Sequence, residues 1–245
     1  MISRALILSI ANALAFALNC LETFGFGPFS SSFSSDQDNG SISQKYQTII
    51  TPSGIAFSIW GIIFLAQAVF VVLNLFSEQY RSHPLVVEGV SWWYVVVCIA
   101  QTAWSPAFAY EKIPLAAFFM GCILLGLVAI AFGQYKVVTN LIERQSGLKR
   151  SDFWLLQFPF EIHLGWIVAA FVLNLNIVVV ASGASAGTQC VVAGVFLAVL
   201  AVLSGVCLFL LKRPNYTVPW VVVWAAVRVI YCYVLLFWIS FDAAN

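Results

Sequence analysis

The stretch LLQFPFEIHLGWIVAAFVLN, residues 155–174, decides how the chain is read. Twenty residues at about 1.5 Å each make a helix of about 30 Å, the thickness of a bilayer's hydrocarbon core. Only Gln157, Glu161, His163 and Asn174 interrupt its apolar run, together with a proline at Pro159. A segment this greasy belongs in lipid, and its few polar groups then need partners or a polar cavity.

The rest of the chain agrees. Hydrophobic residues make up 62% and charged residues 9% of 245 positions, too few charges to clothe a soluble globule of this size. Apolar runs recur near 3–21, 53–76, 92–110, 113–133, 153–181, 190–211 and 217–240, separated by short polar breaks. Runs such as AAFFMGCILLGLVAIAF (116–132) do not alternate as the strands of a membrane barrel would. The expected fold is all-α: a polytopic membrane bundle of about seven transmembrane helices.

If seven spans alternate sides, one face receives Arg4, Arg81, Lys136, Arg144, Lys149, Arg150, Lys212 and Arg213, and the other only Lys45 and Lys112. By the positive-inside rule the amino terminus then lies in the cytosol, stroma or matrix, and the carboxyl terminus, SFDAAN, on the far side of a plasma or organelle membrane, thylakoids included. A net charge of +1 with no basic patch gives no footprint for nucleic acid. The bilayer is the partner that composition demands. The opening MISRALILSIANALAFALNC also has the form of a cleaved signal peptide. Against that, Asn12 and Asn19 share one helical face, as buried packing positions do.

The longest break, residues 24–50, is rich in serine and glycine yet carries four phenylalanines, which suits either a lid over the bundle mouth or an exposed connector. Asn39-Gly40-Ser41 within it is a glycosylation sequon. In the basic loop before the fifth span, Ser151 or Asp152 is placed to cap the helix. Cysteines 20, 98, 122, 190, 207 and 232 show no metal or haem spacing and read as small buried hydrophobes.

Three ionisable groups stand inside spans: Glu161, His163 and Arg228. Arg228 is about eleven residues from either end of its span, too deep to snorkel. Counted from Asp152 and Thr217, Glu161 and Arg228 lie roughly 13 Å and 16 Å into the membrane, so a buried Glu161–Arg228 ion pair is one expectation. An anionic ligand group on Arg228 is the other. His163 projects from a different face than Glu161 and is either a hydrogen-bonded packing residue or an axial ligand to a chlorophyll or haem. No second histidine lies in any span, which excludes bis-histidine haem ligation. Pro159 is placed either to kink the fifth span or to begin its membrane-crossing part.

Of the tryptophans, Trp92, Trp93, Trp154, Trp220 and Trp238 fall near span ends, where belt residues are ordinary. The deeper ones fall in a pattern: Pro52, then Trp60-Gly61 and Phe64 in PSGIAFSIWGIIF; Gln101, Trp104 and Pro106 in QTAWSP, followed by Phe108 and Tyr110; Trp166 and Asn174 in WIVAAFVLN. In order and spacing these resemble the signatures of the tryptophan-rich sensory protein (TspO/MBR, translocator-protein) family in its second, third and fifth helices, over roughly residues 5–180. The resemblance implies a five-helix core at 1–189, with 190–245 as a two-helix extension packed on it.

It also implies a cavity for a tetrapyrrole, sterol or similar flat molecule, closed by the first loop and lined by Trp60, Phe64, Gln101, Trp104, Trp166 and Asn174. Counting residues from the positive-poor face puts Trp60, Gln101, Trp104 and Asn174 at about one depth, roughly 9–14 Å in. Gln101 stands where the family usually has Asn, and Phe64 where it has Tyr, so two pocket hydrogen bonds are altered or lost.

Two functions follow as expectations. One is a membrane binder of a flat hydrophobic small molecule that senses, carries or buffers it. The other is a structural or pigment-holding accessory subunit of a larger membrane complex, photosynthetic ones included, with His163 on a chlorophyll. The sequence names no cofactor; porphyrin, chlorophyll and carotenoid are the candidates. No nucleophile–base–orienter set, metal cluster or phosphate loop is present, so the chain does not read as an enzyme.

Overall fold

Helix starts are written locally. The Ser3 hydroxyl accepts the Leu6 N–H at 3.2 Å, Ser185 accepts from Thr188 N–H at 3.2 Å, and the Asn215 side chain accepts from Val218 N–H at 3.0 Å. These caps satisfy donors that a helix leaves free at its first turn. In the basic loop Asp152 caps, its carboxylate accepting the Lys149 N–H at 2.8 Å.

The computed structural model describes residues 3–24, 42–43, 45–144 and 147–243, of which 232–243 are described by backbone alone. The sequon, most of the 24–50 loop, and the side chains of Cys232 and Trp238 lie outside the described residues. The long helices are α1 (Arg4–Thr23), α2 (Ile59–Phe76), α3 (Trp93–Ala109), α4 (Ile113–Glu143), α5 (Phe158–Ala181), α6 (Ala186–Gly205) and α7 (Thr217–Ala243). They correspond one for one to the seven expected spans, and no strand occurs among the described residues. With their flanking turns, α1, α2, α4, α5 and α6 are long and apolar enough to cross a membrane. The 17-residue α3 is broken in hydropathy by Gln101, Ser105 and Pro106, and α7 is apolar over Thr217–Tyr231.

Two boundaries need a physical account. α4 runs ten residues past the expected end at 133, because no breaker follows and its extra turns are packed: Val137 and Val138 are buried, and the Gln134 amide donates to the Leu156 carbonyl at 2.6 Å. Pro159 sits in the first turn of α5, just after a π turn at Phe153–Gln157. Proline has no N–H to give to the preceding turn, and the wider turn accommodates the missing bond. Pro159 therefore begins the long helix rather than kinking it.

α1 packs on α2 and α3, α3 on α4, α4 on α5, and α5 closes back on α2, so five helices form a ring. Asn12 and Asn19 of α1 are buried in it. α7 lies along α5 outside the ring, and α6 touches both. The α5–α7 approach depends on Gly165: a Cβ there would stand 2.8 Å from Val221 Cβ and 3.1 Å from the Val218 carbonyl oxygen. At one end of the bundle Ile42 and Ile50 pack with Phe108, Ile113, Leu173 and Ile177, so residues 42–43 and 45–50 cover the ends of α3, α4 and α5. Lys45 and the Tyr46 hydroxyl each bond Glu111 at 2.7 Å, tying that segment to the α3–α4 turn, where Glu111 takes a left-handed φ of 56°. At the opposite end His83 faces Asp152 at 3.9 Å, and Trp92, Trp93, Trp154 and Trp220 are exposed as belt residues are.

Candidate ligand-binding site

The inward faces of the ring follow from helical spacing. Trp60, Phe64 and Gln67 stand at i, i+4 and i+7 along α2, and His163, Trp166, Ala170 and Asn174 at i, i+3, i+7 and i+11 along α5, so each set shares one helical face. Facing them are Tyr94, Gln101, Trp104 and Phe108 of α3, and Asn12 and Phe16 of α1.

These residues form two layers. In the deeper one Trp60 is the hub: its ring lies 5.9 Å from Phe64, 5.5 Å from His163 and 6.2 Å from Trp166, centroid to centroid. Phe57 meets Trp166 at 5.6 Å, and Phe16 and Phe24 flank Phe64 at 6.1 and 5.1 Å. The tyrosine hydroxyl expected at position 64 is replaced here by an all-aromatic contact. In the other layer the Trp104 indole N–H donates to Asn174 Oδ1 at 3.3 Å, Asn174 donates to the Ala170 carbonyl at 3.1 Å, and Trp104 stacks on Phe108 at 5.3 Å.

The expectation of one common depth is therefore corrected. Trp60 is level with His163 and Trp166, two to three turns of α5 away from Asn174. The chain enters α2 from inside the bundle rather than from its end, through a 3-10 turn at Gly54–Ser58: Ser53 N–H donates to the Arg228 carbonyl at 3.2 Å, and the Trp224 indole reaches the Ala56 carbonyl at 3.4 Å.

His163 is fully buried and held by a relay that the sequence reading missed. The Tyr94 hydroxyl donates to Gln67 Oε1 at 3.2 Å, and Gln67 Nε2 lies 2.9 Å from His163 Nδ1. An amide nitrogen can only donate, so Nδ1 accepts and the imidazole proton sits on Nε2, which has no partner. A macrocycle ligated there would need a slab of open space over the ring, yet His163 is enclosed with Trp60 against it. Among the described residues no group of three His, Cys, Asp or Glu side chains could hold a metal ion. The signal for Gln67 was its polarity in an apolar span, seven residues after Trp60.

Glu161 and Arg228 are not brought together. Ion pairs among the described residues are Lys45–Glu111 and the His83–Asp152 contact. Glu161 instead meets the Thr217 side chain, while the Arg228 guanidinium lies 4.1 Å over the Trp224 ring. α5 and α7 do not begin in one plane. Glu161, nine residues after Asp152, is level with the first residue of α7.

Several buried polar atoms of the ring have no protein partner: Trp166 Nε1, His163 Nε2, Gln101 Oε1 and both side-chain polar atoms of Asn12. Buried polar atoms are nearly always satisfied, so a cluster of free ones within an aromatic wall marks the candidate site.

A family model described as TSPO-like protein matches residues 5–234. The match reaches through α6 into α7, beyond residues 5–180 over which the motifs fall. The chain matches no curated protein and no solved structure. Ring, motif residues and family model agree: the chain is an integral membrane protein belonging to the TSPO-like protein family.

Proposed function

We propose that the protein binds a flat hydrophobic molecule, a tetrapyrrole or a sterol- or carotenoid-like compound, between α1, α2, α3 and α5, and serves the membrane as its sensor, carrier or buffer. The observation that carries this reading is the pair of unpartnered atoms on Trp166 and His163, both rings packed against Trp60, which also meets Phe64, with a further free acceptor on Gln101 of α3. Aromatic faces suit a conjugated ring, and the free donors and acceptor suit its polar substituents. The deeper layer is closed by ring contacts of 5.5–6.2 Å, so a ligand enters by displacing Trp60. Residues 42–50 are the anchored end of the proposed lid. In our reading the arginine- and lysine-rich end faces the cytosol, stroma or matrix, and the protein binds rather than catalyses. The pigment-subunit alternative draws no support from His163, which is enclosed.

The test is a titration of the full chain in nanodiscs with protoporphyrin, read by tryptophan fluorescence. Saturable one-to-one quenching, weakened about tenfold or more by Trp60→Leu, is expected, since base-stacked aromatic platforms lose comparable energy on truncation. Quenching that does not saturate, or that Trp60→Leu leaves unchanged, would overturn the proposal.

A further inference from the structure

A second polar feature lies outside the ring. Where α5, α6 and α7 meet residues 50–53, the packing leaves a cavity of about 50 Å³ lined by Pro52, Trp166, Leu173, Leu200, Val222 and Ala225. Its walls are apolar, and it opens on the bundle surface at Ala226 and Leu197, both exposed. That volume admits a few carbons of a chain but no ring system.

Arg228 stands one turn along α7 from Ala225, between Trp224 and Val229. Its guanidinium rests on the Trp224 ring, its Nε is buried without a partner, and no carboxylate among the described residues reaches it. Ser53, whose N–H bonds the Arg228 carbonyl, also buries its hydroxyl without a partner. A cation within a membrane span calls for a counter-charge, which the indole face supplies only in part. The notch is lined by Pro52 and Val229, the chain neighbours of Ser53 and Arg228, so the cation and the free hydroxyl stand one residue away from its apolar wall.

We propose that Arg228, Ser53 and this notch form a site for an anionic amphiphile. A carboxylate or phosphate oxyanion pairs with the Arg228 guanidinium and accepts from the Ser53 hydroxyl, while part of the hydrocarbon chain fills the notch beside Trp166. A guanidinium takes two oxyanion oxygens at once, which a water or an uncharged ester cannot match. The site shares Trp166 with the interior ligand proposed above but uses none of its other groups, and either can fail without the other.

Trp166 and Trp224 flank the site, so bromine on a bound chain quenches them. The full chain in phosphatidylcholine nanodiscs is titrated with dibromostearate, with its methyl ester, and with brominated phosphatidylglycerol. Saturable quenching by the acid or the phosphatidylglycerol, with the ester about tenfold or more weaker, is the expected result, since a charged hydrogen-bonded contact is lost. Saturation by the acid identifies a fatty carboxylate, and saturation by phosphatidylglycerol alone a lipid phosphate. Arg228→Gln should bring the charged probe down to the ester's level. Ala226→Phe, on the exposed rim, should block the notch with Arg228 intact, and it stands as the deciding variant if Arg228→Gln does not fold. Equal quenching by acid and ester, or full quenching in Ala226→Phe, would overturn the proposal.

Discussion

Gln67 Nε2 lies 2.9 Å from His163 Nδ1, and the same amide's oxygen accepts from Tyr94 at 3.2 Å, so one glutamine joins α2, α3 and α5 at the centre of the ring. All three side chains are buried. Gln67→Leu keeps the volume but leaves the tyrosine hydroxyl and the imidazole nitrogen without partners, and should cost about 1–3 kcal/mol. Polar contacts in membrane bundles average less, about 0.6 kcal/mol, and stranding two groups places this one above the average. Unfolding midpoints in mixed detergent micelles check it, and a variant as stable as wild type would show that the relay contributes nothing.

Gly165 admits α7 to within contact of α5. Gly165→Leu drives a side chain into Val221 Cβ, 2.8 Å from where a Cβ would stand, and against the Val218 backbone, which cannot turn aside. An overpacking cost of about 1–3 kcal/mol is expected, with α7 loosened first. Hydrogen exchange resolved by segment should show faster exchange in 217–231 while the α3–α4 interface keeps its protection. Uniform loss of protection across all helices would contradict this.

The Lys45–Glu111 contact ties residues 42–50 to the α3–α4 turn. The Lys45 ammonium, and after it the Tyr46 hydroxyl, hold the Glu111 carboxyl below its ordinary 4.5. A carboxylate so lowered stabilises the tether above pH 4.5 and loses that effect as the pH falls below it. Limited proteolysis should cut near residues 42–50 faster in acid than at neutral pH. Glu111→Gln should show the fast rate at neutral pH; an unchanged rate would mean that Ile42 and Ile50 alone hold the segment.

His83 gives the opposite end a different pH response. The Leu85 N–H donates to its Nδ1 at 3.2 Å, so the proton sits on Nε2, facing Asp152 at 3.9 Å. Burial lowers its pKa from the ordinary 6.5, with Asp152 pulling the other way. The unfolded chain therefore takes the proton first, and the group's contribution to stability, full above pH 6.5, declines as the pH falls below it. Melting temperature should drop over that window, and His83→Gln should flatten the drop. An equal drop in the variant would assign it to other groups.

Much was legible from the sequence because lipid permits so few solutions. Each backbone polar group must be satisfied within its own segment, so apolar runs of bilayer length had to be helices, and their number and order followed. The inward stripes were legible too, since a period of 3.6 places Trp60 with Phe64, and Trp166 with Asn174, on single faces. Charge pairing was not: Glu161 and Arg228 suit each other chemically, yet one meets Thr217 and the other Trp224.

Sequence alone thus determined the class, the helix count and which residues face inward, all properties of one helix in a membrane. Tertiary structure decided what those residues meet. Relative rotation and height of two helices depend on how their surfaces interlock, as where Gly165 receives Val218 and Val221, or where the 3-10 turn leading into α2 sinks until Ser53 reaches Arg228. Those offsets split the motif residues into two layers, gave His163 to Gln67, and left Arg228 with a ring instead of a carboxylate.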